Sequence, residues 1–405
     1  MSDRLLDRAA GREEQPPMTR IDRNPIIDLP VKVLFTTNGA EWFIRNNQKP
    51  HRVRMADRRQ GYGISLRNFS AASLQKMFTI DYISEIEIAR TDFSEKGGEI
   101  VDLTKLITYR VLYRAFEHET YRMFLTSPLI QNWNRAHPSK TIDERSAIHN
   151  GQLHALVQSC SSELPLVSED IQKPVLQEIE EDSRLGPEEK QVLRHLCERY
   201  VLSMRDLMRC VLARYRGQRE YHRLVFEICG LLRNYLERSK IAEYLALIIM
   251  ELITYTETIH SMEIARRLFP RTCPTAEMLR SPSLRNAIAR DMSEQKDYLY
   301  LTYHLNNEAS SVGTENRLKI VLFNGVREYQ KMKSQIETKL GLDLEEKGLD
   351  DLYRRLPKQD TDSELGLYYL SFLESECSRC GVHLDSHVNE SLTSDLTVIT
   401  LNLQF

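Results

Sequence analysis

The chain has 405 residues, of which 41% are hydrophobic and 28% are charged, and its formal net charge is -3. This length predicts two or three domains, and a charge so close to zero excludes the overall positive field of many nucleic-acid-binding proteins. No run approaches the roughly 18 apolar residues of a membrane span, and the charged N-terminus lacks the apolar segment of a secretory signal. The seven cysteines are odd in number and lie mostly in apolar periodic segments, which favours free thiols and a cytoplasmic protein.

The first quarter of the chain is predicted to contain a tail and a mixed domain. Residues 1–28 are charged throughout and are assigned to a flexible tail, and residues 29–101 to a mixed α/β domain. Within that domain, VKVLFTT and EIEIARTDF alternate in polarity or carry β-branched residues, which predicts two strands. Between them lies a basic loop, residues 45–67. Its charged side chains include the acid Asp57 and seven bases: Arg45, Lys49, Arg52, Arg54, Arg58, Arg59 and Arg67.

Residues 102–234 are predicted to form an α-helical bundle. The segment LTKLITYRVLYRAFEHETYRMFL places apolar residues at helical spacing, and a further helix is predicted to start at Pro187, which two glutamates follow. Gly217 and Gly230 are the only glycines between that point and about residue 258, so they are the predicted breaks between helices.

Residues 235–405 are predicted to form an α/β sandwich. The segment IAEYLALIIMELITYTETI is apolar almost all round, which predicts a helix buried between two layers. The alternating segments DYLYLTYHL, RLKIVLFNG and TVITLNLQF predict strands, and we expect residues 318–322 and 397–403 in one sheet. The predicted fold class is therefore α+β, with a mixed N-terminal domain, a central helical bundle and a C-terminal sandwich.

Three short motifs in the last segment follow one another in a familiar order. MELITYT carries Glu251, IVLFNGV carries Asn324 and Gly325, and SELGLYYL carries Gly366 and Leu367. In this order the motifs resemble the ATP-binding domain of the GHKL superfamily, which includes the sensor histidine kinases. The resemblance implies a histidine-kinase-like ATPase fold for the C-terminal segment, with these five residues at its ATP site.

The same motifs depart from the family pattern at three positions. Tyr255 replaces the Mg²⁺-coordinating asparagine, Phe323 replaces the aspartate that recognises adenine, and Glu364 replaces the first glycine of the phosphate loop. A phenol is a poorer Mg²⁺ ligand than an amide oxygen, and a carboxylate opposes phosphate at a helix N-terminus. The resemblance therefore implies a vestigial ATP site without a cofactor or a catalytic residue, in a pseudoenzyme.

This resemblance predicts a cytoplasmic, bacterial-type signalling or scaffold protein that acts through protein–protein contacts. The helical bundles of sensor kinases commonly dimerise, so the resemblance also implies a homodimer. The alternative is an active, divergent kinase or ATPase that binds ATP and Mg²⁺, in which Glu251 polarises water or orders the site.

Three other patterns offer weaker alternatives. Cys377 and Cys380, followed by His383, have the spacing of half a zinc site, but no second cysteine pair accompanies them, so no metal is predicted. His118, in FEHET, resembles the phosphoacceptor of sensor kinases, and a plain exposed histidine is favoured. The basic loop has the charge to bind phosphate, and RMADR with NFSAAS resembles the cyclic di-GMP motif of PilZ domains. A solvated loop is favoured there, and neither a nucleic acid nor a membrane is expected as a partner.

Overall fold

The computed structural model describes residues 26–57, 59–79, 82–142, 155, 157–204, 206–271, 275, 278–310, 313–324, 334, 368–391 and 396–405. The helices are α1 (Thr37–Arg45), α2 (Ala71–Thr79), α3 (Gly97–Thr126), α4 (Pro128–Ala136), α5 (Leu164–Glu181), α6 (Pro187–Ser203), α7 (Asp206–Arg214), α8 (Arg219–Leu268), α9 (Pro282–Gln295) and α10 (Tyr368–Arg379). The strands are β1 (Ile26–Ile27), β2 (Val31–Phe35), β3 (His51–Arg54), β4 (Gln60–Leu66), β5 (Phe69–Ser70), β6 (Ile83–Arg90), β7 (Leu299–Ser310), β8 (Gly313–Asn324), β9 (His383–Ser391) and β10 (Leu396–Gln404). The chain is a mixed α+β protein with a central helical region, as the sequence predicts.

Eight strands form one antiparallel sheet in the order β3-β4-β2-β6-β7-β8-β10-β9, and β1 pairs separately with β5. Strand β8 pairs with β10, which confirms that residues 318–322 and 397–403 lie in one sheet. In the middle of the sheet, β6 pairs with β7. Segments 29–101 and 235–405 therefore contribute strands to the same sheet, although the helical region separates them in the sequence.

One face of this sheet packs against helices α2, α3, α8 and α10. Strand alternation places one row of apolar side chains across that face: Val33, Ile86, Tyr303, Ile320 and Leu401. The hydroxyl groups of Tyr303 and Thr104, on α3, are 2.6 Å apart and share a buried hydrogen bond. This contact satisfies two polar groups inside an otherwise apolar layer and fixes α3 on the sheet.

Helices α3 and α8 run antiparallel and extend from the sheet into the helical bundle. Residues 100–111 of α3 and 241–259 of α8 supply the sheet core, whereas residues 112–124 and 221–236 supply the bundle core. Lys105 pairs with Glu243 where the two helices pass each other. Each long helix thus connects the two cores rigidly.

The two glycines expected to separate helices behave differently. Gly217 lies between α7 and α8 with a φ of 89°, a conformation that glycine adopts without strain. Gly230 lies inside α8, so the prediction of a break there is wrong. Its neighbours Ile228 and Leu232 are fully buried in the bundle core, and this burial outweighs the cost of about 1 kcal/mol for a helical glycine.

The six cysteines in the described part of the chain are free thiols, and five of them are buried. This confirms the expectation for those six. No helix among the described residues has both the length and the apolar character needed to cross a bilayer.

Candidate metal centre

The segment EIEIA of β6 places two acidic side chains on the sheet face opposite the helices. Because successive strand residues point to opposite faces, Ile86 and Ile88 enter the helix-covered core while Glu85 and Glu87 point away from it. Both glutamates are nevertheless buried, with 2% and 1% of their surface exposed. A buried carboxylate is costly unless it is paired, so the partners of each glutamate decide what this face can do.

Glu87 has a cation beside it. Lys32, its cross-strand neighbour on β2, places Nζ 2.7 Å from Oε1 of Glu87. Burial raises the pKa of Glu87, and both Lys32 and the backbone N–H of Ala56 oppose that shift. Glu87 is thus one half of an ion pair across two strands.

Glu85 faces a histidine and an aspartate instead. Its cross-strand neighbour on β7 is His304, whose Nδ1 lies 3.3 Å from Oε2 of Glu85. Asp57, in the connection between β3 and β4, brings a carboxylate to the same place. One potential ligand atom from each of the three residues lies within 4.8 Å of the others. We call Asp57, Glu85 and His304 the sheet-face cluster.

Local contacts in the β3–β4 connection hold Asp57 over the sheet. Met55 is buried, and its backbone N–H donates to the carbonyl of Arg59 at 3.1 Å. Arg59 in turn donates its backbone N–H to Oδ1 of Asp57 at 2.9 Å and places Nε 2.8 Å from Oδ2. Such outer contacts orient a carboxylate in the way that they orient the ligands of metal sites.

One oxygen of the sheet-face cluster has no partner. Oε1 of Glu85 is buried and accepts no hydrogen bond from any described residue, a situation that costs about 1–3 kcal/mol. Two carboxylates and one imidazole are ligands that Mn²⁺, Fe²⁺ and Zn²⁺ accept. Two ligands of one such ion lie about 3.4 Å apart, close to the 3.3 Å between Glu85 and His304. The cluster therefore has the composition of a divalent-cation site, and Glu85 and His304 have the spacing of two of its ligands.

The predicted ATP-site residues are placed only in part. Glu251 lies partly buried on α8, and Asn324 is the last residue of β8. Gly325, Gly366 and Leu367 lie outside the described residues, so the vestigial site stays a prediction.

Two of the three departures from the family pattern are described. Tyr255 is 8% exposed and packs in the sheet core, whereas Phe323 lies on the opposite sheet face, across from Tyr300. Glu364 lies outside the described residues.

The weaker alternatives also have definite positions. Cys377 is buried at the C-terminal end of α10, and burial raises the pKa of its thiol to about 12. His118 is exposed on α3. In the basic loop, Arg52 and Arg54 are exposed on the edge strand β3, and Arg58 lies outside the described residues.

The sheet-face cluster was missed by the sequence analysis, although one signal for it existed. Two glutamates alternate with two isoleucines in β6, so a strand with one deeply buried face carries acids on the other. The pairing of β6 with β7, 200 residues later in the chain, is what brings His304 to Glu85. No local pattern in the sequence indicates that pairing.

Comparison with known proteins gives two matches. The profile of a family described as "Family of unknown function (DUF8084)" matches residues 22–405. An "Uncharacterized protein" of Treponema pallidum (strain Nichols) is 26% identical over 390 residues, which cover 96% of this chain and 100% of that protein. No solved structure matches the chain significantly.

Proposed function

The chain belongs to the DUF8084 family, and we propose that it is a regulatory or scaffold protein whose sheet holds a divalent metal ion. The ion would bind to Asp57, Glu85 and His304. Asp57, in the β3–β4 connection, and Glu85, on β6, precede the helical region in the chain, and His304, on β7, follows it. In this proposal the metal fastens the N-terminal and C-terminal parts of the sheet together.

The observation that carries this proposal is the buried, partnerless oxygen of Glu85. A carboxylate with 2% exposure needs a cation or a hydrogen-bond donor for each oxygen, and Oε1 has neither among the described residues. His304 lies 3.3 Å from the other oxygen, and its neutral imidazole can bind a metal ion. A divalent ion that Glu85 chelates through both oxygens, with the imidazole of His304 as a further ligand, would satisfy both oxygens of Glu85.

The burial of the site favours a structural or regulatory metal over a catalytic one. The side chains of Glu85, His304 and Asp57 are 3%, 15% and 20% exposed. A substrate would have little access to an ion held among them. The proposed output is therefore contact with a protein partner, and a homodimer is the form that the kinase-like resemblance suggests.

The proposal is tested by adding Mn²⁺ to the metal-free protein. Mn²⁺ is the better probe because it prefers oxygen and imidazole ligands, whereas Zn²⁺ also binds the free thiols of this chain. At a concentration about a hundred times the Kd, Mn²⁺ adds about 2.7 kcal/mol to the free energy of unfolding. We expect the melting temperature to rise by at least about 3 °C and to return when EDTA is added. An unchanged melting temperature, together with an unbroadened Mn²⁺ resonance signal, would overturn the proposal.

We also propose that the histidine-kinase-like segment binds no nucleotide. The packing of α8 against the sheet supports this, because Tyr255 lies within the apolar core. Between α8 and the sheet, the cavity that the described residues line measures only about 10 Å³, with Ile249, Leu252 and Leu301 in its wall. This is far smaller than the about 300 Å³ at the lower end of ligand pockets.

Calorimetry with ATP, with and without Mg²⁺, separates this proposal from the active-kinase alternative. We expect no binding in the millimolar range or tighter. Tyr255 and Phe323 stand at the family's Mg²⁺ and adenine positions, but Tyr255 packs on the helix-covered side of the sheet and Phe323 lies on the other, which supports this expectation. Tight ATP binding that disappears in Glu251→Ala would instead establish the active enzyme.

A further inference from the structure

The helical bundle contains a polar cavity, which the sheet-face cluster does not involve. Its volume is about 70 Å³, enough for more than one water molecule. The charged residues in its wall are two arginines, Arg110 on α3 and Arg199 on α6, and none of the described residues that line it is acidic. Four tyrosines complete most of the wall: Tyr109, Tyr113, Tyr200 and Tyr235.

Arg110 is the more buried of the two cations. It is 9% exposed, and its Nε and Nη2 make no hydrogen bond with any described residue. The carboxylate of Glu117 lies 3.8 Å from Nη2, and the ring of Tyr113 lies 4.8 Å from the guanidinium carbon. Burial lowers the pKa of Arg110, and the charge of Glu117 opposes that shift. A guanidinium buried this deeply needs acceptor oxygens for its donors, and these are only partly supplied.

Arg199, on α6, lines the same cavity as Arg110, together with Tyr235. Burial lowers the pKa of Arg199 as well. Two cations that line one cavity add their positive potentials inside it.

The tyrosines make this wall rigid. The hydroxyl of Tyr109 donates to Glu243, and the hydroxyl of Tyr200 shares a 2.6 Å hydrogen bond with Thr120. The rings of Tyr113 and Tyr200 both pack against Tyr235, with centroid distances of 6.2 Å and 5.4 Å. These contacts hold the cavity wall in place before a ligand enters, with the hydroxyls of Tyr109 and Tyr200 already engaged.

We propose that this cavity binds a phosphate-type oxyanion, either free phosphate or the head group of a phosphomonoester. Planar guanidinium groups bind such anions through paired N–H···O bonds. Arg199 also lines an open groove of about 700 Å³ beside His195 and Arg209, which gives the organic part of a monoester room. Helices α3 and α8 run from this cavity to the sheet. A bound anion would therefore stabilise the parts of both helices that lie in the bundle, away from the proposed metal site.

The test is calorimetry of the full-length protein with inorganic phosphate and with phenyl phosphate, at constant ionic strength, beside acetate and chloride. We expect phosphate or phenyl phosphate to bind and chloride not to bind. Tighter binding of phenyl phosphate would identify a monoester, and equal binding would identify free phosphate. Arg110→Met and Arg199→Met should each weaken the binding at least about tenfold. Arg223→Met is the matched control, because Arg223 is an exposed arginine of α8 that pairs with Glu227, and it should leave the binding unchanged.

The stability of the variants is measured without phosphate, so that a loss of binding can be told apart from a loss of the fold. Arg110→Met leaves the carboxylate of Glu117, 3.8 Å from Nη2, without this cation, and removing one partner of a buried pair is destabilising. The melting temperature of both variants in chloride is therefore measured beside the binding, and Arg199→Met, which keeps the pair of Arg110 and Glu117, decides the outcome if Arg110→Met unfolds. Three outcomes would overturn the proposal: no binding of either phosphate, equal binding by Arg110→Met, or the same loss in Arg223→Met.

Discussion

Glu85→Gln is expected to lower the affinity for Mn²⁺ at least about a hundredfold. The amide keeps the size of the side chain but removes the negative charge, and its nitrogen cannot bind a cation. Changes to groups that merely orient ligands already cost 10–100-fold in metal affinity, so the loss of a ligand should cost at least that much. Isothermal titration with Mn²⁺, on protein freed of metal with EDTA, measures the change.

The stability of the metal-free variant distinguishes a ligand from a purely structural residue. A carboxylate that only supported the fold would destabilise the protein when replaced. A metal ligand without its ion is instead an uncompensated buried charge, and Glu85 is only 2% exposed. Glu85→Gln should therefore leave the metal-free protein equally stable or make it more stable. His387→Ala is the matched control, because His387 lies on the same sheet face with Asp385 2.7 Å away and is largely exposed. Equal affinity for Mn²⁺ in Glu85→Gln and in the unchanged protein would contradict the assignment.

Gly63→Ala should lower the free energy of unfolding by about 3 kcal/mol or more. A Cβ at Gly63 would lie 2.0 Å from the carbonyl oxygen of Val33, so it would collide with the backbone of the neighbouring strand. A backbone atom cannot rotate aside as a side chain can, and β4 would have to separate from β2. Denaturant unfolding followed by circular dichroism measures this loss. Because the β3–β4 connection carries Asp57, the same variant should also bind Mn²⁺ more weakly.

Gly230→Ala is the control for Gly63→Ala, because the same substitution is expected to raise the free energy of unfolding there. No atom of the described residues lies within 4 Å of a Cβ built at Gly230, which sits in the interior of α8. Alanine there should raise the free energy of unfolding by about 0.5–1 kcal/mol, because it lowers the backbone entropy of the unfolded chain. Similar losses at Gly63 and Gly230 would show that the close approach of β4 to β2 is not what requires a glycine.

The sequence predicts those strands and helices whose polarity pattern repeats within a short segment of the chain. Alternation marks β2, β6, β7, β8 and β10, and the apolar run within α8 marks its buried half. The single sheet was not predicted, because its central pair joins Glu85 to His304 across more than 200 residues. The predicted helix break at Gly230 is wrong for a related reason. Burial of its neighbours in the tertiary structure outweighs the low helix propensity of glycine.

The candidate metal site could not be predicted from the sequence for a similar reason. Asp57 stood out only as the lone acid of a basic loop, and its pairing with Arg59 gives it an ordinary surface role. Glu85 becomes a ligand candidate only when its depth, its empty oxygen and the approach of His304 are known together. These three properties come from tertiary packing, which no pattern of residue types specifies.

The most direct test of the metal site is an anomalous-scattering measurement on crystals of the unchanged protein soaked in Mn²⁺. The account predicts one strong anomalous difference peak bonded to Glu85 and His304, with Asp57 completing the protein ligands, and no such peak in crystals of Glu85→Gln. A map without density between these three side chains, at a Mn²⁺ concentration that saturates the protein in solution, would contradict it.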